Sequence, residues 1–225
     1  MQTTLPKQEI VYPDSDGQPM ANNTKQAHAM VVLKENLDAL YADNPDVFVA
    51  MDHFWYPVEG HPEIRQAPDV MVALGRPKGH RGSYKQWEEG GVAPQVVFEV
   101  LSPGNTALEM GRKYAFYERY GVQEYYIYDP NTGVWEGAIR KGDLLEPIEQ
   151  MEGWTSPLLG IRFERGSGDD IGVCYPSGER FQYLVDVQRA LMQKVEQERQ
   201  RAEAERQRAE QLAQRLRELG IDPDA

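Results

Sequence analysis

The sequence predicts an α/β (α+β) protein with a mixed central sheet flanked by helices, a β extension and a C-terminal helical tail. Three features carry that prediction. A nearly continuous apolar run, Gln95 to Leu101, leads through a short turn into a capped helical segment and then into a second strand, Glu124 to Asp129. Strand, helix and strand in that order predict a right-handed crossover joining two parallel strands. Residues 130–184 hold short strand candidates punctuated by turns such as Asn131-Thr132-Gly133 and Pro176-Ser177-Gly178. From Val185 the composition changes abruptly to Gln, Arg, Glu and Ala.

Taken in order, residues 1–23 are polar and turn-rich and read as an N-terminal arm. Residues 24–184 read as the globular domain, and 185–225 as a charged helical tail. A first helix is expected from Thr24, as N-cap, to about Ala42, with Met30, Leu33, Leu37 and Leu40 at helical spacing. Strands are expected over Val47 to Tyr56 and Asp69 to Leu74. The Gln95 to Leu101 run is apolar enough for a central strand buried on both faces. A basic, glycine-rich loop, Gly75 to Lys85, precedes it. Thr106 and Glu109 form a capping-box pair for a helix over 107–120, and Gly121 ends it. In the tail, Val195, Ala202, Ala209 and Leu216 recur every seven residues, with Glu198, Glu205, Leu212 and Leu219 in the companion seam. Only the last two heptads pair apolar residues, so a solvated helix and a self-associating coiled coil, hence a homodimer, both fit.

The 225 residues carry a net charge of −12. From Val185 onward eight Lys/Arg stand against nine Asp/Glu, so the globular part holds nearly all the excess. That counts against tight, non-specific binding of nucleic acid. It is compatible with a carboxylate metal site, where a bound cation reverses the local field. No apolar run approaches the ~20 residues of a membrane span, and Met1 to Ile10 does not read as a secretion signal. With one cysteine, Cys174, no internal disulfide can form, and a cytoplasmic location is expected.

The candidate chemistry centres on two acids. Asp69 opens one strand, and Glu99 sits inside the next among Val97, Phe98, Val100 and Leu101. A carboxylate in an apolar strand needs a partner, a metal or a raised pKa. On neighbouring strands the two acids can converge on one hard cation such as magnesium, with the Val100 carbonyl as a further oxygen. Lys113 shares a helical stripe with Met110 and Tyr117 and should point toward the Glu99 strand. A buried salt bridge for the acids and a snorkelling lysine are the purely structural alternatives.

These segments together resemble a known family. Pro68-Asp69, then Pro94 to Pro103 around Glu99, then Lys113 with Tyr117 and Gly121 to Pro130, are similar to the Uma family of bacterial restriction-endonuclease-type proteins, within the PD-(D/E)XK nuclease superfamily. The resemblance spans roughly residues 10–165. It implies a restriction-endonuclease-like fold and Mg2+-dependent hydrolysis of DNA phosphodiester bonds, with Mn2+ as a substitute. Asp69, Glu99 and Lys113 would be catalytic, with Asp69, Glu99 and Val100 at the metal. One departure is plain: Leu101 stands where the superfamily usually has lysine, and the resemblance implies that Lys113 replaces it from the following helix. Arg76, Lys78, Arg81 and Lys85 are the expected DNA contacts, with Lys25 beside them. Glu35 and Asp52 are candidate auxiliary acids. Two other readings stay open: an inactive nuclease-fold scaffold assembling through its tail, and a glycoside hydrolase using Asp69 and Glu99 as its acid pair.

Overall fold

In a computed structural model of the chain, residues 10–15, 17 and 20–219 are described. They fall into two compact units, one ending at Gln182 and the other beginning at Tyr183. The element order is α1 (Thr24–Leu40), β1 (Val47–Met51), β2 (Trp55–Tyr56), β3 (Val70–Leu74), β4 (Tyr84–Lys85), β5 (Val96–Val100), α2 (Ala107–Tyr120), β6 (Glu124–Asp129), β7 (Val134–Lys141), β8 (Leu144–Pro147), β9 (Arg162–Phe163), β10 (Val173–Cys174) and α3 (Leu184–Glu218).

The first unit is built on a six-stranded sheet of order β1-β3-β5-β6-β7-β8. Only β5 and β6 pair in parallel within it; the other neighbours are antiparallel. The parallel pair is the one joined through α2, because strands running the same way need a long connection. All five residues of β5 are buried, as its apolar run requires. The predicted β extension divides. β7 and β8 lengthen the main sheet, while β9 and β10 form a separate two-stranded ladder.

Local chemistry sets the boundaries. Thr106 Oγ1 accepts from the Glu109 N–H at 3.2 Å, and Gly121 closes α2 at φ +96°, a conformation that costs glycine little. At α1 the cap is Asn23 and not Thr24: its side chain accepts from the Gln26 N–H at 2.9 Å. The single strand expected over Val47 to Tyr56 is two. Asp52, at φ +45°, breaks it, and Trp55–Tyr56 leave to pair in parallel with Tyr84–Lys85.

One face of the sheet carries an aromatic core under α2, in which Trp55, Tyr117, Tyr125 and Tyr84 are fully buried with Met71 and Val97. The rings of Trp55 and Tyr117 lie parallel at 6.4 Å between centroids. α1 contacts β1, β3 and β5 and buries Ala29, Met30, Leu33 and Leu37. It also buries Asn36, whose amide donates to Val32 O and Gln182 O at 2.7 Å and accepts from Tyr175 OH and Gln182 N. One amide thereby ties the first helix to the last segment of this unit. Asn36→Ala leaves three of those groups unpaired inside the protein, and a loss of about 2–4 kcal/mol is expected in urea unfolding at neutral pH.

Candidate active site

Strand register brings the acids together. Val70 pairs with Phe98, so the next step places Asp69 across from Glu99. Directly opposed residues have Cβ atoms roughly 5 Å apart, within reach of one shared cation. On the other side of Asp69, Met51 pairs with Val70, and the Asp52 N–H donates to Asp69 O at 3.1 Å. Across the parallel pair Glu99 faces Ile127, which faces Glu136. Asp52, Asp69, Glu99 and Glu136 therefore share one row across the sheet, interrupted by Ile127.

Helix α2 lies over that row. Lys113 Nζ donates to Glu99 Oε2 at 2.8 Å, and the Tyr117 hydroxyl donates to Glu99 Oε1. The two donors are four residues apart, one helical turn, so a single helix face holds both oxygens of one carboxylate. Asp69 is held differently. Its Oδ2 accepts from the Val100 N–H at 2.6 Å, and the Gln26 side chain also bonds it.

Burial governs the charges here. Glu99 is 2 % exposed. Desolvation pushes its carboxyl up to about 8, and the charge of Asp69 adds to this; Lys113 and Tyr117 pull the other way. Burial also raises Asp69, with Asp52 adding, against Lys113, the Val100 N–H and Gln26. For Lys113 burial pulls down, but Glu99 and Asp69 together outweigh it and hold the ammonium protonated. Burial and the Glu99 charge keep the Tyr117 hydroxyl protonated, so it remains a donor.

The other expected residues stand as follows. The Val100 carbonyl already accepts from Gln26 Nε2 at 3.1 Å, leaving one lone pair. Glu35 lies nine residues beyond Gln26 on α1, about 13 Å along the axis, so it does not join the acids. Its Oε2 is buried without a hydrogen-bond partner among the described residues. At the start of α2, Thr106 takes the Glu109 N–H and Glu109 itself stands in the first turn, so few amides are left for an anion.

The basic loop leaves from the other end of the strands. Gly75 and Arg76 donate to Asp46 O, just before β1, whereas Asp69 lies at the β1 exit, about 20 Å away along the strand. Arg76 and Arg81 both pair with Glu89, at 3.6 and 3.1 Å. Lys78 donates to Tyr41 O and Ala42 O, and Lys85 to Glu88 at 3.3 Å. Lys25, by contrast, sits on the helix turn that carries Gln26, and its Nζ donates to Asn131 Oδ1 at 3.4 Å.

Two residues of the site escaped the sequence reading. Gln26 lies in line with the buried stripe Ala29, Met30 and Leu33, and an amide there signals a buried partner. Tyr117 is placed by the sequence on the stripe of Lys113 but given no role there; its spacing of four from Lys113 was the available sign.

The residues fit a hard divalent cation. Two carboxylates face each other in a buried setting that penalises their joint charge, and the donors are oxygens. Among the described residues no group of three or more His, Cys, Asp or Glu could hold a metal ion. Such an ion would complete its shell with water and phosphate oxygens, the usual habit of magnesium.

The mixed sheet, the helix-crossed parallel pair and the flanking helices define a mixed α/β fold. Residues 4–164 match the family described as "Putative restriction endonuclease" (Uma2), and the chain belongs to that family. A solved structure from Anabaena variabilis ATCC 29413, described as a "putative nuclease belonging to DUF820", is similar at 11 % identity. That alignment covers 60 % of this chain and 72 % of the other, with a TM-score of 0.44. Among curated proteins no sequence matches.

The raised Glu99 carboxyl links stability to pH. Its ordinary value is 4.5, and in the fold it is about 8. The proton-bound form is favoured by folding, so this contribution is full below about pH 4.5 and is lost as pH rises through 8. Metal-free wild type should therefore lose stability relative to Glu99→Gln between pH 5 and 8.5. Urea midpoints of both proteins across that range check the sign; parallel curves contradict it. In Tyr117→Phe, Glu99 keeps one donor fewer and its carboxyl should rise further. Infrared titration of the carboxyl band should show that alkaline shift.

Proposed function

We propose that the chain is a metal-dependent endonuclease that hydrolyses DNA phosphodiester bonds. The observation that carries this reading is the 2.8 Å contact of Lys113 with Glu99 directly across from Asp69. An ammonium bonded to Glu99 from a helix, with Asp69 close enough for its charge to act on it, supplies the group that Leu101 lacks.

Asp69 and Glu99 would hold Mg2+, or Mn2+ in its place. When bound, that ion lowers the pKa of a coordinated water and polarises the phosphate. The protein's own groups do the rest. The Val100 N–H and Gln26 orient Asp69; Tyr117 orients Glu99. Lys113 positions the attacking water and offsets negative charge developing on the phosphate oxygens. Asp52, across from Asp69 on its outer side, is the auxiliary acid of this reading, in place of Glu35.

For the DNA backbone we assign the groove of about 530 Å³ along the free edge of β1. It is lined by Lys34, His53, Lys78, His80 and Arg81, with Asp38 the one acid among them. Lys25 serves at the other end, near the acids. Arg76 and Lys85 contribute by folding the loop, through Glu89 and Glu88. The single cysteine, Cys174, is buried and free, which suits the cytoplasm.

A second reading, a catalytically inert scaffold, is favoured by the net charge of −12 and by the internal pairing of the loop's basic side chains. Plasmid nicking separates the two. With Mg2+ or Mn2+ the wild type should nick supercoiled DNA, and a chelator should abolish it. Asp69→Ala, Glu99→Ala and Lys113→Ala should each lose at least about 10²-fold. DNA binding without nicking in either metal would support the scaffold. Hydrolysis that survives the chelator would support neither.

A further inference from the structure

Helix α3 carries apolar side chains that nothing within its own unit covers. None of its 35 residues is buried. Leu191, Val195 and Leu212 are each about 60 % exposed. A helix this long, mostly polar elsewhere, gains its stability from packing such a face.

The face is a seam. From Leu184 to Leu219, positions alternating four and three residues apart trace one continuous heptad stripe. Leu184, Leu191 and Val195 occupy one end of it, and Leu212, Leu216 and Leu219 the other. Glu198, Ala202, Glu205 and Ala209 fill the middle. The stripe traced in the sequence began at Val195; Leu191, one seam position before it, pairs with it and completes the first end.

We propose that α3 pairs with α3 of a second copy of this chain, and that the two helices run antiparallel. The order of side chains decides the direction. In a parallel, in-register pair each residue meets itself, so Glu198 faces Glu198 and Glu205 faces Glu205 inside the seam. Like charges so placed repel. Read backwards, the same seam complements itself. Val195 meets Leu212, Leu191 meets Leu216, Glu198 meets Ala209, and Ala202 meets Glu205. Each glutamate then lies over a methyl group, which leaves space for its carboxylate to turn outward. Glu205 already has Arg201 beside it, at 3.4 Å. Gln188 falls opposite Leu219, at the frayed end where a polar residue costs least. All large apolar residues of the seam from Leu191 to Leu216 find apolar partners; Met192 lies off it.

The test uses the full-length chain. Light scattering of the wild type should give twice the chain mass at micromolar concentration. Val195→Cys and Leu212→Cys are then made separately. In the antiparallel pair residue 195 lies about 25 Å along the axis from its own copy but beside residue 212. Under oxidising conditions a mixture of the two variants should cross-link, and each variant alone should not. Native Cys174 is common to every sample, and wild type controls for it. A monomeric wild type, self-cross-linking of Val195→Cys alone, or a mixture that fails to cross-link would each overturn the proposal.

Discussion

Glu99 lies in the middle strand of a sheet, 2 % exposed, with apolar neighbours on either side in sequence. A carboxylate there costs several kcal/mol unless its oxygens are met. Helix α2 meets both of them, Lys113 on one oxygen and Tyr117 on the other. The rest of the first unit can be traced from that need. The helix must cross directly over β5, which requires the parallel pairing with β6 and the capped turn at Thr106. Tyr117 must be anchored, and its ring stacks on Trp55, which in turn pulls the chain after Asp52 away from β1 into the small ladder with Tyr84. Even then the acid pair is over-supplied with charge. Asp69 across the strand pushes Glu99 up, and the combined field holds Lys113 protonated.

Much of this arrangement was legible in the amino-acid sequence. The apolar β5 run, the capping residues of α2, Gly121 and the β6 strand have local signatures. The structure places all of them within a residue or two of expectation. Lys113 was legible too, because helical periodicity alone turns its side chain toward the sheet. The partners of Asp69 were not. Gln26 is some forty residues away in sequence, and only α1 packing brings it to the Val100 carbonyl. Glu35 shared its helix with Gln26 but not its end, a difference that helical rise makes plain once the docking point is known. The basic loop was legible only as charge. Its pairing was not: Glu89, beyond Lys85, folds back on Arg76 and Arg81. Charge density along a sequence does not report which charges are already spent.

The net acidity of the chain acquires a physical place in this picture. A row of acids crosses the sheet from Asp52 through Asp69 and Glu99 to Glu136, with one ammonium over it. Such a row repels phosphate until a dication sits on it. Substrate engagement would then depend on metal more steeply than in a basic nuclease, and non-specific binding would stay weak. The charged tail follows its own logic. Its helix is unburied along its whole length, and its apolar residues gather at the two ends, a pattern that asks for a partner of the same length.

In the proposed reading Asp69 and Glu99 would share one divalent ion, whose charge would offset the repulsion between them. The most direct test is a Mn2+-soaked crystal measured at the manganese absorption edge. One strong anomalous peak is expected between the Asp69 and Glu99 carboxylates, with Lys113 still beside Glu99. A peak only elsewhere on the molecule, or none with Glu99 still closed on Lys113 and Tyr117, would contradict it.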